Sequence, residues 1–224
     1  MRTIYHGSEN IIRKPEFGKG KPYNDYGRGF YCTEEYDLAC EWSVDINRDG
    51  YVNIYEIEDA DLSILSLNIQ NYTVLHWLSV LLKHRTFDYN SPLAEEAAEY
   101  ITRNFSIDLA PYDIIIGYRA DDSYFSFAQS FLNGGLSIEN LSRSMHLGNL
   151  GLQYVLKSKA AFSSIKFIDA VKVDSNEWYR LKKVRDSNAR NEFRKINAGK
   201  RTKGSLYITD ILDEEVKPDD PRIR

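Results

Sequence analysis

An α+β fold is what this sequence predicts, and three features lead there. Short runs with two-residue alternation lie near both ends of the chain, and helical periodicity fills the middle. A long basic helical stretch then precedes the C-terminus. No repeat, low-complexity tract or linker divides the 224 residues. The chain, 1–224, therefore reads as one domain with a helical insertion at roughly 70–150.

Residues 2–6 form a β-type run that stops at Gly7-Ser8. Residues 11–26, rich in Gly, Pro, Lys and Asn, read as a loop. Residues 29–33 form a compact strand ending at Thr33, a good N-cap for the helix that carries Tyr36, Ala39, Cys40, Trp42 and Ser43. Residues 51–57 alternate as a strand, with Asn53 and Glu56 between apolar neighbours. Residues 73–84 and 92–104 read as helices, the second opened by Ser91 as cap and Pro92 at its first position. Residues 112–118 form a buried strand. Asp121-Asp122 then caps an aromatic helix with Tyr124, Phe125, Phe127 and Phe131, which Gly134-Gly135 stops. A short helix at 137–145 follows, and strands at 153–156 and 166–173 flank a polar turn. Residues 176–196 form the long basic helix, and 205–208 a last strand.

Composition removes several function classes. Hydrophobic residues at 42% and charged residues at 28% describe an ordinary globular chain that buries its core without staples. Two cysteines, Cys32 and Cys40, cannot form a disulfide framework and read as reduced thiols. Residues 1–10 lack the apolar core of a signal peptide, and the apolar stretch 74–82 is too short to span a bilayer. Together these predict a cytoplasmic protein with no membrane contact. The net charge of −4 is unevenly spread, because residues 180–203 hold ten Lys or Arg against two acids while residues 210–220 are acidic. A basic stretch of this kind is either a solvated helix face or a surface that meets something charged.

Two pieces of the N-terminal third carry chemistry. Tyr5-His6-Gly7-Ser8 closes the first strand. Tyr26-Gly27-Arg28-Gly29-Phe30-Tyr31-Cys32-Thr33 leads from a loop into the second, with Trp42 late in the next helix. The pair resembles the first two signatures of the ADP-ribosyltransferase-like superfamily of the His-Tyr type. The agreement is greatest with a small bacterial family of unknown function, DUF3990-like, with its His-Gly-Ser, its Gly-Arg/Lys-Gly-Phe-Tyr run and an Ala…Trp helix. It covers about the first 60 residues well and the rest loosely. The resemblance implies a split β-sheet core carrying the inserted helical block and the basic C-terminal helix. It implies NAD as substrate and no metal.

Cleaving the nicotinamide–ribose bond passes through an oxocarbenium-like state, so the ring and both riboses must be held at fixed angles. Carried over by motif, His6 contacts the adenosine ribose, Gly7 the nicotinamide amide through its backbone, and Tyr31 stacks on the nicotinamide ring. Ser8 is a supporting hydroxyl. Arg28 suits the pyrophosphate by its planar guanidinium, unless it is an exposed loop residue without a fixed partner. The third signature usually supplies a glutamate to the nicotinamide ribose, and here the best-placed strand carries Gln153. Glutamine can bond a hydroxyl but brings no negative charge, and losing such a contact typically costs about 10²–10³ in rate. Gln153 is otherwise an ordinary strand-edge residue. In the resembling family an Asp-Asp follows a Tyr-Asp-Ile-Ile-like strand, which makes Asp122 a second acid candidate beside its reading as a helix cap.

The resemblance thus implies a mono-ADP-ribosyltransferase with a protein or nucleic-acid acceptor, and leaves open a toxin role and an operon-encoded partner. The alternative is a catalytically silent binding module of the same fold. Residues 45–56 match an EF-hand loop as a string, but the strand pattern that follows argues against calcium. His76, His84 and His146 show no metal-ligand spacing.

Overall fold

The computed structural model describes residues 1–68, 71–120, 122–147, 151–198 and 204–223, the side chains of 122 and 123 excepted. In chain order the first elements are β1 (Arg2–Ser8), β2 (Phe30–Cys32), α1 (Tyr36–Ser43), β3 (Gly50–Ile57) and β4 (Ile64–Ser66). Then come α2 (Val74–His84), α3 (Pro92–Asn104), β5 (Ile114–Tyr118), α4 (Asp122–Leu132) and α5 (Ile138–Ser144). The last are β6 (Leu152–Leu156), α6 (Lys159–Ser163), β7 (Ile165–Val173), α7 (Ser175–Asn197) and α8 (Ile208–Asp213). The fold class is α+β.

Two small sheets carry the strands, in the orders β1-β3-β7 and β2-β6-β5-β4. All pairings are antiparallel except β4 with β5. One isolated bridge joins the sheets: Tyr5 N–H donates to the Thr33 carbonyl at 2.7 Å, and Thr33 N–H to the Tyr5 carbonyl at 2.9 Å. Past that joint β1 runs on along β3 while β2 pairs with β6, so the chain leaves a gap beside His6 and Tyr31.

The main core lies where α2, α3, α4 and α5 pack on the four-stranded sheet, around Trp77, Leu78, Phe105, Tyr124 and Phe127. Helical periodicity supplies this face in each case. The long α7 is mostly solvated and docks through one stripe, with Phe193 stacked on Phe127 at 3.9 Å between ring centroids. No described helix is long and apolar enough to cross a membrane.

Several local expectations need correction. Residues 205–208 do not form a strand. Tyr207 makes a single bridge to Ser137, and Asp210 then accepts from Tyr207 N–H at 2.8 Å and turns the chain into α8. The polar turn after β6 contains α6, which Ser158 caps by accepting from Ala161 N–H. Thr33 is not the α1 cap, which is Glu35, although its hydroxyl accepts from Glu35 N–H at 3.1 Å. The strand expected at 112–118 begins at Ile114 as β5, and it pairs with a strand not expected, β4, which has only three residues. In the calcium-like string the expected strand does leave the loop, as β3, and the Asn53 side-chain oxygen is taken by Ile12 N–H at 2.7 Å.

Helix α1 crosses β1 directly over Gly7. A Cβ there would stand 2.0 Å from the Ala39 carbonyl oxygen and 2.8 Å from Ser43 N. Both contacts are backbone, so a rotamer change cannot relieve them. Gly7→Ala is expected to lower stability by about 1–3 kcal/mol or more, read as a lower denaturation midpoint in a urea titration. An unchanged midpoint would mean that α1 does not sit on β1 as described.

Candidate functional site

The gap beside the sheet joint opens into a cleft of about 1300 Å³. His6, Gly7 and Ser8 of β1 line it, together with Tyr31 of β2 and Gln153 of β6. Asp25, Trp42, Arg85 and Arg119 line it too, and α7 adds Lys182, Lys183 and Arg185. The lining holds nine Lys or Arg against four Asp or Glu, a balance that attracts anions.

His6 is fixed by two neighbours. Its Nδ1 lies 2.6 Å from the Tyr31 carbonyl oxygen, and its ring stacks on Phe30 at 4.4 Å. A carbonyl only accepts, so Nδ1 carries the proton and Nε2 keeps a lone pair. Nε2 has no hydrogen-bond partner among the described residues. Burial pushes the imidazole below its ordinary pKa, which the Tyr31 carbonyl partly offsets. His6 is therefore a neutral acceptor at neutral pH.

The Tyr31 hydroxyl donates to the Gly27 carbonyl at 2.6 Å and accepts from Tyr26 N–H at 3.1 Å. Burial raises this phenol well above its usual range. The hydroxyl closes the 26–27 turn, where Gly27 takes φ +72°, so what Tyr31 offers a ligand is its ring. The Ser8 hydroxyl is likewise committed, donating to the Asn10 carbonyl and accepting from the Asn53 amide. Arg28 lies outside the cleft lining, exposed, with its guanidinium on the Gly18 carbonyl at 2.8 Å. Asp122 opens α4, but its side chain lies outside the description, as does the whole of Asp121.

Gln153 reveals a group that motif reading missed. Its Nε2 donates to the Asp25 carboxylate at 2.9 Å, which leaves Oε1 as an acceptor. The buried Asp25 also accepts from Ala120 N–H at 2.9 Å and from Arg85 at 3.0 Å. Burial raises the Asp25 carboxyl, while Ala120, Gln153 and the charges of Arg85 and Arg119 pull it back. A carboxylate thus stands behind the glutamine. The only sequence signal was an aspartate directly before the Tyr26 motif. Among the described residues, no group of three or more His, Cys, Asp or Glu could hold a metal ion.

Two consequences can be measured. Gln153→Glu sets a second carboxylate against Asp25 and removes a donor from a buried acceptor. It is expected to cost about 2–4 kcal/mol near neutral pH. The loss should shrink toward acid pH, where one carboxyl protonates, and calorimetry at two pH values reads it. Burial also lowers His6, His76 and His84. The unfolded chain then binds protons below about pH 6.5 that the folded chain refuses. Their stabilisation is complete above that pH and is lost as pH falls through the folded values. The melting temperature should drop between about pH 7.5 and 5.5, and drop less in His6→Asn.

No curated protein and no solved structure matches the chain. A family described as "Protein of unknown function (DUF3990)" matches residues 2–167. That span contains β1 to α6, every strand of the four-stranded sheet, and every site residue named from the motifs. It stops short of α7, which adds Lys182, Lys183 and Arg185 to the cleft. The chain belongs to the DUF3990 family.

Proposed function

We propose that the cleft binds NAD and that the protein is an ADP-ribosyltransferase-like enzyme that passes a single ADP-ribose unit to a protein or nucleic-acid acceptor. One observation carries this reading: His6, Tyr31 and Gln153, drawn from three strands, line one cleft with a cationic wall. In that arrangement His6 Nε2 accepts from a ribose hydroxyl and the Tyr31 ring stacks on nicotinamide. Gln153 Oε1 accepts from the nicotinamide-ribose hydroxyl, with the Asp25 charge behind its amide. As the nicotinamide leaves, a negative potential at that position stabilises the developing cation. The site lies in the cytoplasm on this reading, which suits the free, buried Cys32 and Cys40.

Gln153 also supports a second reading, a catalytically silent module that keeps the binding cleft. Its amide is neutral, and Arg85 answers the Asp25 charge at 3.0 Å. Binding and turnover separate the two. NAD at about a hundredfold over its Kd should stabilise the fold by about 2.7 kcal/mol, visible as a raised melting temperature. His6→Ala and Tyr31→Ala should abolish nicotinamide release, while Tyr31→Phe, which keeps the ring, should retain it. Saturable NAD binding without nicotinamide release selects the silent module. Undiminished NAD binding in both alanine variants would remove the site assignment.

A further inference from the structure

Helix α7 meets the protein along one stripe, with positions 178, 182, 185, 189 and 193 recurring at three- and four-residue steps. Trp178, Ala189 and Phe193 are the apolar or small residues such a stripe calls for. Lys182 and Arg185 interrupt it with two cations, and both line the cleft. Arg185 is answered by Glu41 of α1 at 2.7 Å. Lys182, half-buried, makes no hydrogen bond or ion pair with any described residue. Burial and then the nearby Arg119 charge lower its pKa, and the charges of Asp45 and Glu41, neither in contact with it, offset this only in part. A cation kept where solvent is scarce and a like charge is close costs stability unless an anion joins it.

The neighbouring groups point the same way. The Arg119 guanidinium lies over the Trp42 ring at 4.9 Å, and both residues line the cleft. Trp42 Nε1 is buried with no acceptor among the described residues. Elsewhere in the cleft Arg85 pairs with Asp25, Lys19 with Glu16, Arg13 lies over Phe167 and Lys183 over Tyr179, while Lys14 and Lys21 stand exposed on the N-terminal loop. We propose that Lys182 and Arg119, beside Trp42, form the subsite that holds the phosphates of a nucleoside diphosphate group. Two neighbouring cations suit a multiply charged oxyanion better than a single carboxylate. The cleft, at about 1300 Å³, has room for the nucleoside attached to it. This deepens the NAD reading and assigns to α7 the contact that the motifs had suggested for Arg28.

Calorimetric titration with ADP, inorganic pyrophosphate, adenosine and NAD tests the subsite in the full-length chain. Wild type should bind ADP and pyrophosphate, more weakly as salt rises. Lys182→Gln should weaken both by about tenfold or more, while Lys182→Arg and Lys195→Gln, on the exposed face of α7 outside the cleft, stay near wild type. Adenosine binding should not respond to Lys182→Gln. Unchanged ADP affinity in a Lys182→Gln variant with a wild-type melting temperature overturns the subsite, as does failure of wild type to bind ADP or pyrophosphate. Lys182-dependent binding of single-stranded oligonucleotides in place of ADP overturns it in favour of a polymer. If ADP binds through Lys182 but NAD does not bind, the subsite stands and the NAD reading falls. If NAD binds equally to Lys182→Gln, the reverse holds.

Discussion

The floor of the cleft rests on the burial of one carboxylate. A bare carboxylate in the interior costs several kcal/mol, so Asp25 can be buried only where donors meet it. Three do, from three parts of the chain: the Ala120 backbone after β5, the Gln153 amide on β6 and the Arg85 guanidinium after α2. Meeting that one requirement ties the long N-terminal loop to the central sheet and to the helical block together. The next residues inherit the placement. The Tyr26 hydroxyl donates to the Tyr118 carbonyl at 2.6 Å, and Lys157 donates to the Tyr26 carbonyl. Tyr31 then closes the turn with its hydroxyl. The same constraint explains the amide at 153, since a glutamate there would bring two negative groups into hydrogen-bond distance.

Much of the motif that carries the family resemblance is spoken for by packing. Gly7 lacks a Cβ because the Ala39 carbonyl occupies that space, whatever the cleft binds. The Ser8 hydroxyl belongs to the Asn53 network, in which one buried amide gathers the His6 and Asn10 carbonyls and the Ile12 N–H. Subtracting these uses leaves a short set of groups with chemistry to spare: His6 Nε2, the Tyr31 ring and Gln153 Oε1. On the proposed reading those three, rather than the whole string of motif letters, are where NAD gains specific contacts.

How far the sequence could be read depended on the range of the forces involved. Helices α2, α3 and α7 and strands β1, β3 and β5 were legible because periodicity and caps such as Ser91 are local. Strand β4 was not, since three residues carry no period and it exists only because β5 lies beside it. Residues 205–208 have strand-like letters, yet Asp210 three residues past Tyr207 redirects them. At the site, His6, Tyr31 and Gln153 could be named from motif and strand position. Asp25 could not, because its partners lie 60, 95 and 128 residues away. Lys182 looked like one more solvated lysine in a basic run until the α7 stripe showed which face it shares.

That stripe also changes the meaning of the basic stretch. As a string, residues 180–203 read either as a solvated helix face or as a surface that meets something charged. In the folded chain its described part is divided. Arg185 is spent on Glu41, Arg190 pairs with Asp186 at 3.0 Å, and Lys182 belongs to the cleft wall. Phosphate-backbone recognition needs several cations at regular spacing and open to solvent, each contributing by counterion release. Here three of the cations are answered within the protein or turned toward a concave site. On the proposed subsite, the charge of Lys182 is matched to a small anion inside the cleft rather than to a polymer lying along the helix. A protein with net charge −4 that gathers nine Lys or Arg around one cleft has concentrated its attraction for anions there.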